Sequence, residues 1–182
     1  MEIYLKNLRQ NAESRKIPII SIQTESFLKE QLLRYKPRYC LEIGSAIGYS
    51  TIFIASLMKE RNGQVISFEV SYPAYLESLM HIKEVHLWNI TLYPFDITTS
   101  DVRKFVPEKC DFLFIDGQKN QYWTYLEKLE DIKAKKNLII LDDVIKYNSK
   151  MTWLYGYLEK KQMNYQILPM EEGDGVMIIT PV

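Results

Sequence analysis

Apolar positions along this chain alternate between two textures: short unbroken runs, and longer stretches where they recur every three or four residues. The unbroken runs fall at 39–43, 64–70, 90–93, 111–115 and 137–141, and predict strands covered on both faces. The periodic stretches predict helices at 3–14, 25–35, 49–61, 73–84, 122–132 and 151–162. Leu28, Leu32 and Tyr35 mark one face of the second helix, and Leu76, Leu79, Met80 and Lys83 recur at helical spacing in the fourth. Pro18 and Pro37 stop the first two helices, and Asn62-Gly63 suits a left-handed cap after the third. The last two runs, 165–168 and 176–180, flank Glu171-Glu-Gly-Asp-Gly175, a turn too short for a crossover, so they pair antiparallel.

Strands alternating with helices predict an α/β fold: a Rossmann-like, doubly wound and mostly parallel seven-stranded sheet with an antiparallel C-terminal strand and helices on both faces. The 182 residues suit a single domain over 1–182. Lys and Arg total 23 against 23 Asp and Glu, which argues against a protein that coats nucleic acid with a broad cationic face. Cys40 and Cys110 lie in apolar strands and read as buried free thiols rather than a disulfide framework. No apolar run reaches the ~20 residues that span a bilayer, and the first residues lack the apolar core of a signal peptide. A cytoplasmic location without membrane association is expected.

In such sheets ligands bind beyond the carboxyl ends of the strands, and the unusual polar residues stand there. Gly44-Ser-Ala-Ile-Gly48 follows the first strand, letting backbone approach a ligand closely. It is neither a dinucleotide fingerprint nor a phosphate loop, and alone it is an ordinary tight turn. Glu69, at the end of the second strand, can accept both hydroxyls of a ribose, and Asp96, after the third, can reach an adenine amino group. Singly each is more simply a surface residue or helix cap; together they describe a nucleoside site. Asp116 and Asp142 end strands expected to lie about 5 Å apart, with Asp143 beside them. Such a cluster suits a hard divalent cation, Mg²⁺ first; the plainer alternative is that Asp142 or Asp143 caps a helix and Asp116 starts a turn before Gly117.

With these residues in view, the chain resembles the class I S-adenosylmethionine-dependent O-methyltransferases of the cation-dependent group that includes catechol and caffeoyl-CoA O-methyltransferases. The matching segments are Leu41-Glu-Ile-Gly-Ser-Ala-Ile-Gly-Tyr-Ser50, Phe114-Ile-Asp-Gly-Gln-Lys119, Ile139-Ile-Leu-Asp-Asp-Val144 and Gly173-Asp-Gly175. Within the group it is similar to the bacterial tRNA 5-hydroxyuridine methyltransferases, through Ile17-Pro-Ile-Ile20 and Lys119-Asn-Gln-Tyr122. The resemblance implies that Ile20 and Gly44 line the cofactor pocket, Ser50 binds the methionine carboxylate and Glu42 either approaches its ammonium or braces the loop. Glu69 would hold the ribose, with Phe95 and Asp96 flanking the adenine. Asp116, Asp142 and Asp143 would bind the cation, and Asp116 would also touch the cofactor. Lys119 would take the acceptor's proton, its pKa depressed by burial and the nearby metal. Residues 1–36 would cover the cofactor and acceptor site, and a homodimer would be the default assembly.

The chain departs from that pattern. Asp143 stands where the group carries Asn, the segment between Asp143 and Gly173 is shorter, and the N-terminal helix is abbreviated. The acceptor is therefore open. One candidate is the 5-hydroxyl of a wobble 5-hydroxyuridine in a tRNA anticodon loop, approached by Arg15, Lys16, Lys119, Lys146 and Lys150. Another is a small catechol or phenol stacked among Tyr122, Trp123, Tyr147 and Trp153. A third is a binding or assembly protein that keeps the fold without catalysis.

Overall fold

The computed structural model describes residues 1–106 and 109–180, apart from the side chain of Glu172. In chain order the elements are α1 (Glu2–Ser14), α2 (Ile22–Tyr35), β1 (Tyr39–Ile43), α3 (Tyr49–Met58), β2 (Gln64–Phe68), α4 (Tyr72–Glu84), β3 (Ile90–Tyr93), β4 (Cys110–Ile115), α5 (Tyr122–Leu129), β5 (Lys133–Leu141), α6 (Thr152–Lys160), β6 (Tyr165–Pro169) and β7 (Gly175–Ile179). Short 3-10 turns, at Ile97–Thr99, Lys119–Gln121 and Glu171–Gly173 among others, connect them.

The seven strands form one sheet in the order β3-β2-β1-β4-β5-β7-β6. β1 to β5 run parallel, and β7 is antiparallel to both β5 and β6. This is the expected Rossmann-like architecture, with the strand order reversing between β1 and β4. Side chains alternate across the sheet, so each central strand feeds two cores. Leu41, Ile43, Leu113 and Ile115 face α5 and α6, while Cys40, Phe112, Phe114 and Ile140 face α1, α2 and α3. Both cysteines are buried free thiols, as expected. Among the described residues no helix is long and apolar enough to cross a membrane.

The parallel hydrogen bonding continues one step past β1, β2, β4 and β5. Glu69 N–H donates to the Tyr93 carbonyl at 3.0 Å, Gly44 to Phe68 at 2.8 Å, Asp116 to Ile43 at 2.8 Å and Asp142 to Ile115 at 3.0 Å. Each of these residues is thus pinned to the last residue of the strand beside it.

Several element ends shift by one to three residues, and two elements differ from their sequence reading in kind. β5 begins at Lys133 rather than 137, because its first residues, Lys133-Ala-Lys-Lys, are polar and pair only at the sheet's far end, where the register against β4 shifts. In α4 the buried residues are Ser78 and Ile82, whereas Leu76 and Met80 are exposed. At Ser78 the helix packs against Gly48, a contact close enough to call for a small residue.

Candidate active site

A cleft of about 610 Å³ opens at the carboxyl ends of β1, β2, β4 and β5, walled on one side by Pro18–Ser21. Ile20, Gly44, Glu69, Phe95, Asp96, Asp116, Lys119, Asp142 and Asp143 all line it. Residues as far as 123 positions apart in sequence, Ile20 and Asp143, meet here because successive strands deliver their ends to one edge.

The turn after β1 shapes one half. Gly44 has φ +94°, and a Cβ there would lie 2.5 Å from the Asp116 carbonyl oxygen. Gly48 has φ +89°, and its Cβ would meet Ser78 Oγ at 2.5 Å. Between them Ala46 takes φ 45°, a left-handed conformation unusual for a residue with a side chain. The conformation is held because Ala46 N–H donates to Glu69 Oε2 at 2.8 Å. Glu69 Oε1 accepts from Ser71 N–H at 2.7 Å, and the residue as a whole is only 7% exposed. Both oxygens keep a lone pair for a ligand. Asp96 is both cap and cleft residue. Its Oδ1 accepts from Thr98 N–H and Thr98 Oγ–H, each at 2.8 Å, which leaves Oδ2 for a ligand. Phe95 packs in an aromatic group with Phe68 at 5.3 Å and Phe105 at 4.5 Å between ring centres.

The wall at Ile20 is fixed by Arg9, which the sequence reading did not single out. Its guanidinium donates to the Ile20 carbonyl at 3.0 Å, to Glu25 Oε2 at 2.7 Å and to Tyr49 Oη at 3.2 Å. Tyr49 donates to the same Glu25 oxygen at 2.5 Å, closing a network that ties α1, α2 and α3 to the cleft wall. No local motif signals it, since its members lie 16 to 40 residues apart.

Glu42 and Ser50 do not line the cleft. Glu42 is fully buried beneath the turn, where Oε2 accepts from Thr51 Oγ–H and from Ser67 Oγ–H at 2.6 Å, and Oε1 has no hydrogen-bond partner. Burial pushes its pKa up to about 7, against the pull of hydrogen bonds from Ser50, Ser67 and Thr51. Strand alternation explains the placement: Glu42 sits within β1, one position before the residue that reaches the rim. It braces the turn from below.

The other half of the cleft is ionic. Lys119 Nζ lies 2.5 Å from Asp116 Oδ1, 2.8 Å from Asp143 Oδ2 and 2.9 Å from Tyr122 Oη. Tyr122, fully buried, donates its own hydroxyl hydrogen bond to the Asp142 carbonyl at 2.9 Å. Tyr122 follows Lys119 by one helical turn, a spacing that could have suggested the contact. Asp143 has φ 60°, a left-handed conformation that Asp tolerates better than most residues. Burial alone would favour a neutral Lys119 amine, but Asp116 and Asp143 outweigh it and raise the pKa. The amine is held as an ammonium, so the depressed pKa expected of a proton acceptor is not what this environment gives. Burial, with Asp116 and Asp143 nearby, drives the Asp142 carboxyl well above its usual range. Burial would also raise Asp143, yet a hydrogen bond from Asp174 and the Lys119 charge hold it low.

The donor chemistry of Asp116, Asp142 and Asp143 suits a hard cation, but their arrangement does not. A lysine ammonium lies between two of the three carboxylates. Among the described residues no three acidic, imidazole or thiol groups gather as ligands of one ion. No step is therefore assigned to a metal.

A sheet of this order, with a glycine turn and acidic residues at its carboxyl edge, defines a methyltransferase-type domain. The chain matches the methyltransferase-domain family over residues 41–144 and belongs to it. Its fold is shared with a Staphylococcus aureus protein whose name places it with the caffeoyl-CoA O-methyltransferases: TM-score 0.85, 18% identity, covering 97% of this chain and 91% of that one. It is shared also with an O-methyltransferase from Bacillus cereus solved with S-adenosylhomocysteine, TM-score 0.83 at 20% identity over 97% and 90% of the chains. The O-methyltransferase TomG from Streptomyces achromogenes, involved in tomaymycin synthesis and solved with S-adenosylmethionine, gives 0.81 at 14% over 98% and 90%.

Proposed function

We propose that the chain is an S-adenosylmethionine-dependent O-methyltransferase whose acceptor is the 5-hydroxyl of 5-hydroxyuridine in tRNA. The observation that carries this reading is a single cleft with two chemically distinct halves. One half presents Glu69, Phe95 and Asp96, suited to a nucleoside; the other presents a lysine ammonium beside aspartates. Similarity to O-methyltransferase structures supports it.

S-adenosylmethionine, when bound, supplies a methyl group already activated on a sulfonium. Glu69 accepts the ribose hydroxyls with the lone pairs left by Ala46 and Ser71. Asp96 Oδ2 takes the adenine amino group, and Phe95 and Ile20 shield the base from water. Gly44 lets the chain pass close to the ligand. On the acceptor side, Lys119 offers positive charge to the hydroxyl oxygen, and catalysis rests mainly on alignment of that oxygen with the transferred carbon.

The RNA acceptor is supported by the outer rim. Lys146 and Lys150 both line the cleft, and both lie over the ring of Tyr147, at 5.6 Å and 4.9 Å from its centre. An aromatic ring beside two cations suits a nucleotide with its phosphates. The chelated hydroxyl expected from the resemblance is not part of this mechanism, because the aspartates do not form a ligand set.

The test is transfer of labelled methyl from S-adenosylmethionine to tRNA containing 5-hydroxyuridine, beside a panel of catechols. Label in tRNA, falling with rising salt as phosphate contacts require, is the expected result. Label only in a catechol would overturn the RNA acceptor, and absence of S-adenosylmethionine binding by calorimetry would overturn the enzyme reading itself.

A further inference from the structure

We propose that Lys119 is the resident cation of this cleft, doing with a built-in ammonium what a divalent ion would do, so that methyl transfer proceeds without metal. The inference rests on the O-methyltransferase reading above and deepens it. Three observations support it. The ammonium lies within hydrogen-bond reach of Asp116 and Asp143, which follow neighbouring strands and are the groups an ion would use. Its third donor goes to Tyr122, itself anchored on the Asp142 backbone, so the position is fixed from three directions. The lysine side chain is only 12% exposed, against 22% for Asp116 and 32% for Asp143. An ammonium so enclosed already neutralises the two carboxylates that a dication would need.

All three N–H donors are engaged in the folded chain. An incoming oxygen must therefore exchange with one partner, and Asp143, the most exposed, is the one that yields. The acceptor enters as an oxyanion, its proton having passed to water, and takes the place of the Asp143 carboxylate on Lys119. The oxygen's electron pair forms the O–CH₃ bond. The S–CH₃ bond breaks with its electrons going to sulfur, leaving the neutral thioether of S-adenosylhomocysteine. Charge balances, because an oxyanion and a sulfonium become an ether and a thioether. Since no dication acidifies the hydroxyl, the substrate class narrows to hydroxyls that ionise readily in water, such as enolic, phenolic or hydroxypyrimidine groups. Alkyl alcohols are excluded.

The experiment is a Mn²⁺ titration followed by electron paramagnetic resonance, on the full chain saturated with S-adenosylhomocysteine, for wild type and Lys119→Ala. Wild type is expected to bind no stoichiometric Mn²⁺ at millimolar concentration. Lys119→Ala uncovers the carboxylates and is expected to bind one ion at least about tenfold more tightly, a gain of roughly 1.4 kcal/mol or more. Methyl transfer by wild type is expected to be unchanged by EDTA, and Lys119→Met is expected to lose about a hundredfold in rate. One tightly bound Mn²⁺ in wild type, or loss of its activity in EDTA, overturns the proposal. So does a Lys119→Ala chain that retains the cofactor product by calorimetry yet binds Mn²⁺ no better than wild type. The wild-type titration stands even if the variants do not fold. Failure to bind S-adenosylmethionine at all would sink the enzyme reading instead, a result the calorimetry reports separately.

Discussion

Glu42 makes the stability of this domain depend on pH in an unusual direction. Its carboxyl is fully buried and held near pKa 7 instead of 4.5, so the native state binds a proton more tightly than the unfolded chain. At 1.36 kcal/mol per tenfold in proton affinity, moving from 4.5 to about 7 is worth about 3 kcal/mol. A raised pKa gives stability that is fully present below the unfolded value and lost as pH climbs through the folded one. The contribution is therefore complete below pH 4.5, declines between 4.5 and about 7, and is absent above that. Glu42→Gln replaces the protonated carboxyl with a group that does not titrate. The amide brings its own fixed penalty where Oε1 now has no partner, about 1–3 kcal/mol, but that penalty does not vary with pH. Urea unfolding of both proteins across this range isolates the slope, since every other titrating group is common to both. The stability difference should move by up to about 3 kcal/mol in favour of the glutamine variant between pH 4.5 and about 8. Parallel curves would refute the claim that this carboxyl is strained by burial, and with it the bracing role under the turn.

Further outcomes follow from the same geometry. Arg9→Ala removes three hydrogen bonds from the wall at Ile20, and calorimetry should show weaker S-adenosylmethionine binding together with about 1.5–3 kcal/mol lower stability. Gly44→Ala forces a Cβ onto the Asp116 carbonyl at φ +94°, and thermal denaturation should register at least about 1–3 kcal/mol of destabilisation along with loss of cofactor binding. Glu69→Ala leaves the N–H groups of Ala46 and Ser71 without their acceptor, and cofactor affinity should drop more than about tenfold, measured by the same calorimetry. Replacing Lys146 and Lys150 together by alanine should raise KM for tRNA and flatten its salt dependence by about one to two in log-log slope, while transfer to a free nucleoside stays unchanged.

The strands at the heart of the sheet were legible because an unbroken apolar run has one economical placement: β1 and β3 occupy the residues the pattern predicts. The glycine turn, Glu69 and Asp96 were legible because position after a strand decides what reaches the carboxyl edge. Other features were hidden for specific reasons. Apolar spacing in α4 suggested a face through Leu76 and Met80, but spacing alone does not say which side meets the sheet, and Ser78 packs beneath Gly48. The polar start of β5 carries no strand signature. Glu42 and Ser50 belong to the motif without reaching the cleft, since sequence proximity does not specify depth. The state of Lys119 depends on a balance between burial and two carboxylates that only the folded arrangement reveals.

The backbone bonds that continue past β1, β2, β4 and β5 have a consequence for how such a domain can diversify. Spacing along the rim is inherited from the pleat, not from the connecting segments, so those segments can lengthen, shorten or change composition without dragging Glu69, Gly44, Asp116 or Asp142 out of alignment. Donor-side chemistry stays constant while the neighbourhood of the recipient drifts. New recipients would thus be reached by grafting onto a fixed chassis.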